Sequence, residues 1–195
     1  CGLVCAQNSM LAQSGSDGRG QPNADGWGVA YFVDGAPRVE RQVLSAAEDQ
    51  RFLVAAEEIC TPALVAHVRA ATVGEVSLHN VHPFAVGRWV FAHNGTVAAF
   101  DQIRHRFANE LPGWLAEKRT GTTDSELCFV WLLARLERSC PGATRTGAPS
   151  LLVAEVLRDG IRQILSWCGA AGDREGASLN FVLTDGRMLL AARCG

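Results

Sequence analysis

Two Asp-Gly steps constrain the fold of this chain more than any other feature of its sequence. Asp34-Gly35 lies between 26–33 and 38–44, two segments with the composition and alternation of strands. Asp185-Gly186 lies in the same way within 178–193. Asp-Gly is a favoured connection between antiparallel strands because both residues accept positive φ. The chain is therefore expected to contain antiparallel sheets rather than a doubly wound parallel sheet.

Helical patterns separate these strands in groups. Ser45-Ala46-Ala47-Glu48 and Thr123-Asp124-Ser125-Glu126 both have the capping-box pattern, in which a hydroxyl and an acid three residues later begin a helix. The predicted helices are 45–59, 101–109, 124–138 and 151–168, the further strands are 3–6, 64–70 and 88–93, and the loops are 13–25, 112–122 and 140–149.

Composition excludes several classes of protein. The 195 residues are 48% hydrophobic, which suits one domain with a sizeable core. A net charge of -2 without a basic tract argues against nucleic acid or an anionic membrane as partner. No apolar run is long enough to span a bilayer, and the cysteines form no disulfide or zinc pattern, so we expect a cytoplasmic protein without metal or cofactor.

One predicted strand carries polar side chains that a purely structural strand would lack. In 64–70, alternation places Val65, His67 and Arg69 on one face. A buried arginine needs an anionic partner, and its planar fork fits a carboxylate. Arg69 is thus expected either to hold a ligand carboxylate or to pair with one of the chain's own acids.

Asn94-Gly95 ends the predicted strand 88–93 and has two interpretations. Asn-Gly is the commonest two-residue hairpin turn. The same pair could also form an oxyanion hole, because the asparagine amide and the glycine N–H can point at one developing negative oxygen. Both interpretations stay open on the sequence alone.

Cys1 and Asp124 are two further candidates with structural alternatives. A terminal cysteine can be merely the point where the chain was cut, or a nucleophile whose own α-amine serves as its base. Asp124 can stabilise the first turn of a helix, or accept a substrate ammonium. Together with Arg69 and Asn94-Gly95, these residues would suit an α-amino acid whose side-chain carbonyl is attacked, and glutamine is the obvious occupant.

The chain resembles the class II glutamine amidotransferases, which are N-terminal nucleophile hydrolases. The motifs that carry the resemblance are Cys1-Gly2-Leu3, Asp25-Gly26-Trp27-Gly28-Val29-Ala30, His67-Val68-Arg69-Ala70-Ala71-Thr72, Asn80-Val81-His82-Pro83-Phe84, Phe91-Ala92-His93-Asn94-Gly95 and Thr123-Asp124-Ser125-Glu126. The resemblance implies an α+β fold, a four-layer αββα sandwich with two antiparallel sheets. It also implies that Cys1 ends a central strand and is exposed by removal of an initiator methionine.

The resemblance also assigns roles to individual residues. It implies that Cys1 is the nucleophile, Asn94 and Gly95 the oxyanion hole, Arg69 the carboxylate anchor and Asp124 the amine anchor. Thr72 and His93 fall inside matching motifs and are expected in the substrate site, with Trp27, His82 and Phe84 as wall residues. Residues 1–195 are expected to form a single type-2 amidotransferase domain. The resemblance implies that this domain lacks its C-terminal portion, since such relatives continue for some tens of residues.

Three functions remain open at this point. The first is a glutaminase that releases ammonia through a Cys1 thioester, with or without a separate ammonia-accepting partner. The second is a hydrolase of γ-glutamyl amides or peptides, which would share the chemistry but release a larger amine. The third is a catalytically silent domain that binds an amino acid or a partner protein. The sequence predicts no oligomeric state.

Overall fold

The computed structural model describes most of the chain, and two residues of the predicted site, Cys1 and Thr72, lie outside the described part. The described ranges are 2–16, 20–71, 74–173 and 175–194.

Two antiparallel sheets form the centre of the fold, as the Asp-Gly steps predicted. The first sheet has the order β2-β1-β3, with β1 Trp27–Val33, β2 Ala36–Gln42 and β3 Leu64–Val68. The second has the order β4-β5-β6-β7, with β4 Phe84–Val86, β5 Trp89–Thr96, β6 Ser178–Thr184 and β7 Leu189–Ala192. Asp34 and Gly35, with φ of 51° and 76°, make the turn between β1 and β2.

Helices cover the outer faces of both sheets. They are α1 Met10–Gly15, α2 Gln50–Glu58, α3 Phe100–Ala108, α4 Gly113–Ala116, α5 Asp124–Ser139, α6 Ala143–Thr146 and α7 Ser150–Ala170, with a 3₁₀ turn at Leu78–Asn80. No helix within the described ranges combines the length and the hydropathy that crossing a bilayer requires.

Three apolar clusters fill the spaces between four layers, and this arrangement confirms the predicted αββα sandwich. Trp27 of β1 packs edge-on against Phe52 of α2, on the outer face of the first sheet. Phe91 of β5 stacks on Phe129 of α5, with ring centroids 5.3 Å apart, on the outer face of the second. Between the sheets lies a thinner cluster of small side chains, which we call the seam: Ala30, Val65, Val90 and Ala92.

The predicted strand at 3–6 is wrong. Residues 2–8 form turns, and their carbonyls bond to the helix that follows: the Met10 N–H donates to the Gly2 oxygen at 3.2 Å, and the Leu11 N–H to the Leu3 oxygen at 3.0 Å. The Leu3 side chain is buried in the cluster behind the first sheet. This segment therefore satisfies its backbone against α1 instead of a neighbouring strand.

The hairpin-turn interpretation of Asn94-Gly95 is also wrong. β5 continues through both residues to Thr96 and stays in register with β6, where Asn94 lies opposite Asn180 and Gly95 opposite Leu179. The positive φ that makes Asn-Gly typical of turns is used here inside a strand, since Gly95 has a φ of 146°.

The first capping box predicts the start of α2 four residues too early. The N-cap is Asp49, whose carboxylate accepts the Arg51 N–H at 3.1 Å. The Ser45 hydroxyl is bonded instead to the Ser14 hydroxyl at 2.8 Å, which ties α1 to this turn. The predicted loops at 112–122 and 140–149 each contain one short helix, α4 and α6.

Candidate functional site

A cleft of about 250 Å³ opens where β3 and β5 end and α5 begins. The two strands belong to different sheets, so their ends meet only because the sheets stack face to face. Five of the predicted site residues line this cleft: Arg69, His93, Asn94, Gly95 and Asp124.

The backbone of Arg69 is fixed by the start of β1. The Arg69 N–H donates to the Gly26 oxygen at 2.8 Å, and the Arg69 oxygen accepts the Asp25 N–H at 2.9 Å. The Asp25 carboxylate also accepts the Ala71 N–H at 2.7 Å, which holds the chain on the other side of Arg69. The Asp-Gly-Trp-Gly motif therefore positions the backbone of Arg69, and none of these hydrogen bonds involves the guanidinium.

The Arg69 side chain directly follows β3, is only 4% exposed and lines the cleft together with His67. Its Nη2 lies 3.3 Å from the Glu75 oxygen and 3.4 Å from the Gly74 oxygen. Burial lowers the pKa of Arg69, and the Asp25 carboxylate acts in the opposite direction. The guanidinium nevertheless stays charged, because arginine keeps its proton in proteins.

Asn80 is a positioning residue that sequence reasoning missed, although it lies inside a quoted motif. Its Nδ2 donates to the Glu75 oxygen at 3.0 Å, and its Oδ1 accepts the Thr122 N–H at 2.8 Å. Asn80 thus ties the carbonyl that faces Arg69 to the loop that precedes α5. The available signal in the sequence was an asparagine between two histidines, His79 and His82.

Asn94 and Gly95 present complementary features to the cleft. The Asn94 side-chain amide is exposed and forms no hydrogen bond with any described residue, while its backbone oxygen accepts from Asn180 at 2.7 Å. A Cβ at Gly95 would overlap the backbone oxygen of Ser178. The strand therefore requires glycine at this point, and the neighbouring amide is available to a ligand.

His93 lies on the opposite face of β5 from Asn94 and fastens the strand. Its Nε2 lies 3.0 Å from the Ser178 carbonyl oxygen, which can only accept, so Nε2 carries the proton. Burial lowers the pKa of His93, and its Nδ1 lies 2.9 Å from the Ser125 hydroxyl, which also donates to Asp124 Oδ1 at 3.2 Å. Neither serine was singled out from the sequence.

Asp124 has the structural role at the start of a helix, and its role toward a substrate ammonium stays a prediction. It begins α5 directly after the N-cap Thr123 and is only 3% exposed. Its Oδ2 accepts the Val97 N–H at 2.8 Å, and its Oδ1 accepts the Ser125 N–H at 2.7 Å. Because a carboxylate has about four acceptor positions, capacity remains for a cation in the cleft.

Of the three expected wall residues, only His82 lines the cleft. Its ring lies 4.4 Å from that of His67 and 4.5 Å from that of Phe84, which belongs to the core. Trp27 lies behind the first sheet, where its Nε1 donates to Asp49 at 3.0 Å. The expectation that Trp27 and Phe84 line the site is therefore wrong, because both side chains pack in the apolar clusters.

Acid is expected to destabilise the fold through His67. Burial, with the charges of His93 and Arg69, lowers the pKa of His67 from 6.5 to about 4. The unfolded chain binds this proton more readily, so the contribution is fully present above the ordinary histidine pKa and is lost as the pH falls to that of folded His67. This contribution of His67 to the unfolding free energy is at most about 3 kcal/mol. Solvent screening reduces it further, because the residue as a whole is only partly buried.

Denaturant unfolding at about pH 7 and about pH 4 measures this contribution. His67→Gln is expected to show a smaller loss of unfolding free energy between the two conditions than the unmodified protein. His105→Gln, at an exposed position on α3, is the control and should keep the full loss. An identical pH dependence in His67→Gln would contradict the prediction.

Comparisons with known proteins identify relatives of the chain. The sequence model of the class-II glutamine amidotransferases matches residues 4–195. The chain is 29% identical over 189 residues to the probable glutamine amidotransferase DUG3 of Saccharomyces cerevisiae, across 91% of this chain and 53% of the yeast protein. Over 79 residues it is 39% identical to the gamma-glutamyl-hercynylcysteine sulfoxide hydrolase of Mycobacterium tuberculosis, across 40% of this chain and 34% of that protein.

A solved structure shares the fold. It is a glutamine aminotransferase class-II domain protein from Silicibacter pomeroyi, with a TM-score of 0.67 and 28% identity, across 87% of this chain and 68% of the other. The chain spans about half the length of the yeast relative. Since the family match extends over nearly all residues, the chain belongs to the class-II glutamine amidotransferases.

Proposed function

We propose that the protein is an N-terminal cysteine amidohydrolase that converts glutamine to glutamate and ammonia through a thioester on Cys1. The observation that carries this proposal is the convergence of Arg69, Asn94-Gly95 and Asp124, from three separate elements, on one small cleft. We further propose that residues 1–195 act as a single amidotransferase domain. The family match begins at residue 4 and does not include Cys1. Cys1 is proposed as the nucleophile because a terminal cysteine can use its own α-amine as the base.

The charges in the cleft suit a free amino acid. Arg69 offers a guanidinium for the α-carboxylate and Asp124 a carboxylate for the α-ammonium, and both are buried, which strengthens each pairing. The cleft volume of about 250 Å³ is below that of sites for drug-sized ligands. The γ-carbonyl of glutamine would then extend toward Asn94 and Gly95.

In the proposed reaction, the Cys1 thiol gives its proton to the α-amine of the same residue, and the thiolate adds to the γ-carbonyl carbon. The Asn94 amide and the Gly95 N–H donate to the oxyanion. The C–N bond then breaks, and the nitrogen takes the proton from the Cys1 ammonium and leaves as ammonia. Water, deprotonated by the same amine, adds to the thioester, the C–S bond breaks, and glutamate and the free thiol remain.

A glutamine-like diazoketone tests the proposal on protein whose intact mass confirms that it begins at Cys1. We expect one adduct, assigned to the Cys1 side chain by fragment ions that separate it from Cys5, and protection of Cys1 by glutamine. Cys5 and Cys60 are exposed thiols in the same chain and serve as internal controls for indiscriminate alkylation. Equal modification of these cysteines, or none on Cys1 in folded protein, would favour a catalytically silent domain.

Arg69→Lys is expected to raise KM for glutamine about 10- to 100-fold while kcat changes less than about threefold. Lysine keeps the charge but replaces a two-pronged donor with a single point, so binding of the α-carboxylate weakens before and during the reaction alike. Arg41→Lys is the matched control, since Arg41 is a partly buried arginine that donates to the Val81 oxygen outside the cleft. An unchanged KM in Arg69→Lys would remove this arginine from the site.

Hydrolysis of a larger γ-glutamyl amide is the second candidate function. The name of the Mycobacterium tuberculosis relative describes such a hydrolase. Both functions use the same anchors and oxyanion donors, and they differ in what is attached to the γ-carbonyl. Comparing ammonia release from glutamine with amine release from γ-glutamyl amides distinguishes them. Transfer of ammonia to a separate acceptor protein would appear only when that acceptor is supplied.

A further inference from the structure

Trp114 is the exception among the five tryptophans of the chain. It lies on α4 and is 44% exposed, whereas the other four are buried. It lines a cavity of about 530 Å³ between α4, α6 and the turn that joins β4 to β5, which we call the Trp114 cavity. An exposed tryptophan in a concave surface is typical of recognition sites, because its ring offers a large contact area at a small cost in conformational entropy.

The walls of the Trp114 cavity are anchored to the rest of the fold. Leu115, the neighbour of Trp114 on α4, is buried in the core and holds the short helix in place. On the opposite wall, the Arg88 N–H donates to the Thr144 oxygen at 3.0 Å, and a Cβ at Gly87 would overlap the same oxygen. The cavity is therefore preformed, so that binding requires little ordering of the chain.

Two cations reach the Trp114 cavity from different elements. Lys118 lies just after α4, and Arg145 lies on α6. Both side chains are exposed, and neither forms an ion pair with any residue in the described ranges. Among the described residues, a single acidic side chain lines the cavity, that of Glu137.

Glu137 is committed to the start of α6. Its Oε2 accepts the Gly142 N–H at 2.8 Å, and its Oε1 accepts the Thr144 N–H at 2.6 Å as well as the Thr144 hydroxyl. Burial acts to raise the pKa of Glu137, but these hydrogen bonds and the charge of Arg145 lower it overall. Glu137 can offset one of the two cations at most, so the lining of the cavity keeps a net positive charge.

We propose that the Trp114 cavity binds a flat aromatic ring that carries an anionic group. The ring stacks on Trp114, and the anion lies between Lys118 and Arg145, whose planar guanidinium suits a phosphate or a carboxylate. The volume of about 530 Å³ is that of a typical site for a small molecule. Two sources share this chemistry, a nucleotide and an aromatic acid.

The Trp114 cavity is separate from the first cleft, which we call the amino-acid cleft. Of the residues that the structure describes, none lines both. The inference therefore goes beyond the proposed function and does not depend on it. Glutamine is not expected to displace a ligand from the Trp114 cavity, because it has no ring and its own anchors lie elsewhere.

Equilibrium dialysis with four small molecules tests the proposal and separates the two sources. AMP and indole-3-acetate each combine a ring with an anion, and adenosine and indole-3-ethanol are their neutral counterparts. We expect saturable binding of at least one anion, about tenfold tighter than that of its neutral counterpart. The anion that binds identifies the source. The proposal is overturned if neither anion saturates at millimolar concentration, or if the neutral counterpart of the one that binds is bound equally well.

Two variants, each with a matched control, test the location. Trp114→Ala is expected to weaken binding of the anion at least about tenfold, because it removes the stacking surface. Leu151→Ala also removes an exposed apolar side chain, but outside the cavity, and should keep the affinity. Arg145→Gln is expected to bring the anion and its neutral counterpart within about threefold of each other, since Lys118 remains. Arg187→Gln, at an exposed position outside the cavity, should keep the difference.

Unchanged affinity in Trp114→Ala, or an unchanged preference for the anion in Arg145→Gln, would overturn the proposal. If Trp114→Ala does not fold, the Arg145→Gln comparison decides alone. Failure of the proposed function is distinguishable, because none of these measurements uses glutamine hydrolysis and all of them can be made on Cys1→Ala protein.

Discussion

Gly95→Ala is expected to lower the unfolding free energy by about 3–5 kcal/mol and kcat for glutamine by at least about 100-fold. Two costs coincide at this position. The backbone has a φ of 146°, which residues with a Cβ rarely adopt. The new Cβ would also overlap the Ser178 backbone oxygen. The strand can relieve the overlap only by moving away from β6, and that displaces Asn94 as well.

Gly35→Ala is the matched control for this prediction. Gly35 also has a positive φ, of 76°, but a Cβ there meets no atom within 4 Å. It is expected to cost about 1 kcal/mol, from backbone strain alone, and to leave kcat unchanged. Urea unfolding and steady-state glutaminase assays measure both quantities. Equal effects of the two substitutions would mean that the contact with Ser178 is unimportant.

Asp124→Asn is expected to lower kcat/KM for glutamine about 10²–10³-fold. The buried carboxylate would lose its charge opposite the α-ammonium, and one amide N–H₂ would face the N–H of either Val97 or Ser125. The second effect alone destabilises the start of α5 by about 1–3 kcal/mol. Binding and stability therefore have to be measured separately.

Glutaramate, which is glutamine without its α-amine, separates the two effects of Asp124→Asn. The unmodified protein should strongly prefer glutamine to glutaramate. The variant should lose most of that preference, because it no longer has a carboxylate to pair with the α-ammonium that glutamine carries and glutaramate lacks. Asp185→Asn removes another buried carboxylate, one paired with Arg88 outside the cleft, and should keep the preference. A variant that still prefers glutamine by the full factor would exclude Asp124 as the amine anchor.

The sheet architecture was predictable because its signals are local. Asp34-Gly35 lies between two segments of clear alternation, and the predicted strand that begins at Leu64 is present as β3. The same holds for α5, whose cap Thr123 accepts the Glu126 N–H at 3.2 Å as its motif predicts. In each case, residues within four positions of one another decide the conformation.

The errors arise where a distant partner competes with the local pattern. Ser45 has the sequence of a helix cap, but its hydroxyl meets Ser14, 31 residues away, and Asp49 caps α2 instead. Asn94-Gly95 has the sequence of a turn, but β6 pairs with it along its whole length. Neither partner can be identified from local pattern, because each depends on how the layers stack.

The glycines at the start of β1 explain why the residues of the cleft could be only partly predicted from the sequence. A Cβ at Gly28 would overlap the His82 carbonyl oxygen, and one at Gly26 would meet the Val81 side chain at 2.8 Å. The Asp-Gly-Trp-Gly motif therefore lets the His82 segment lie directly against the first sheet. Its role is close approach between segments some 50 residues apart, and the motif itself contributes no side chain to the cleft.

The small residues of the seam have a consequence for selectivity. Arg69 follows a strand of the first sheet, and Asn94-Gly95 belong to the second, so the spacing between the sheets fixes the distance from guanidinium to oxyanion donors. Interdigitating side chains such as Ala30, Val65 and Ala92 set that spacing. In the proposed function, asparagine, one methylene shorter than glutamine, cannot reach both ends at once. Discrimination by chain length then belongs to the interior of the protein, at residues that do not line the amino-acid cleft.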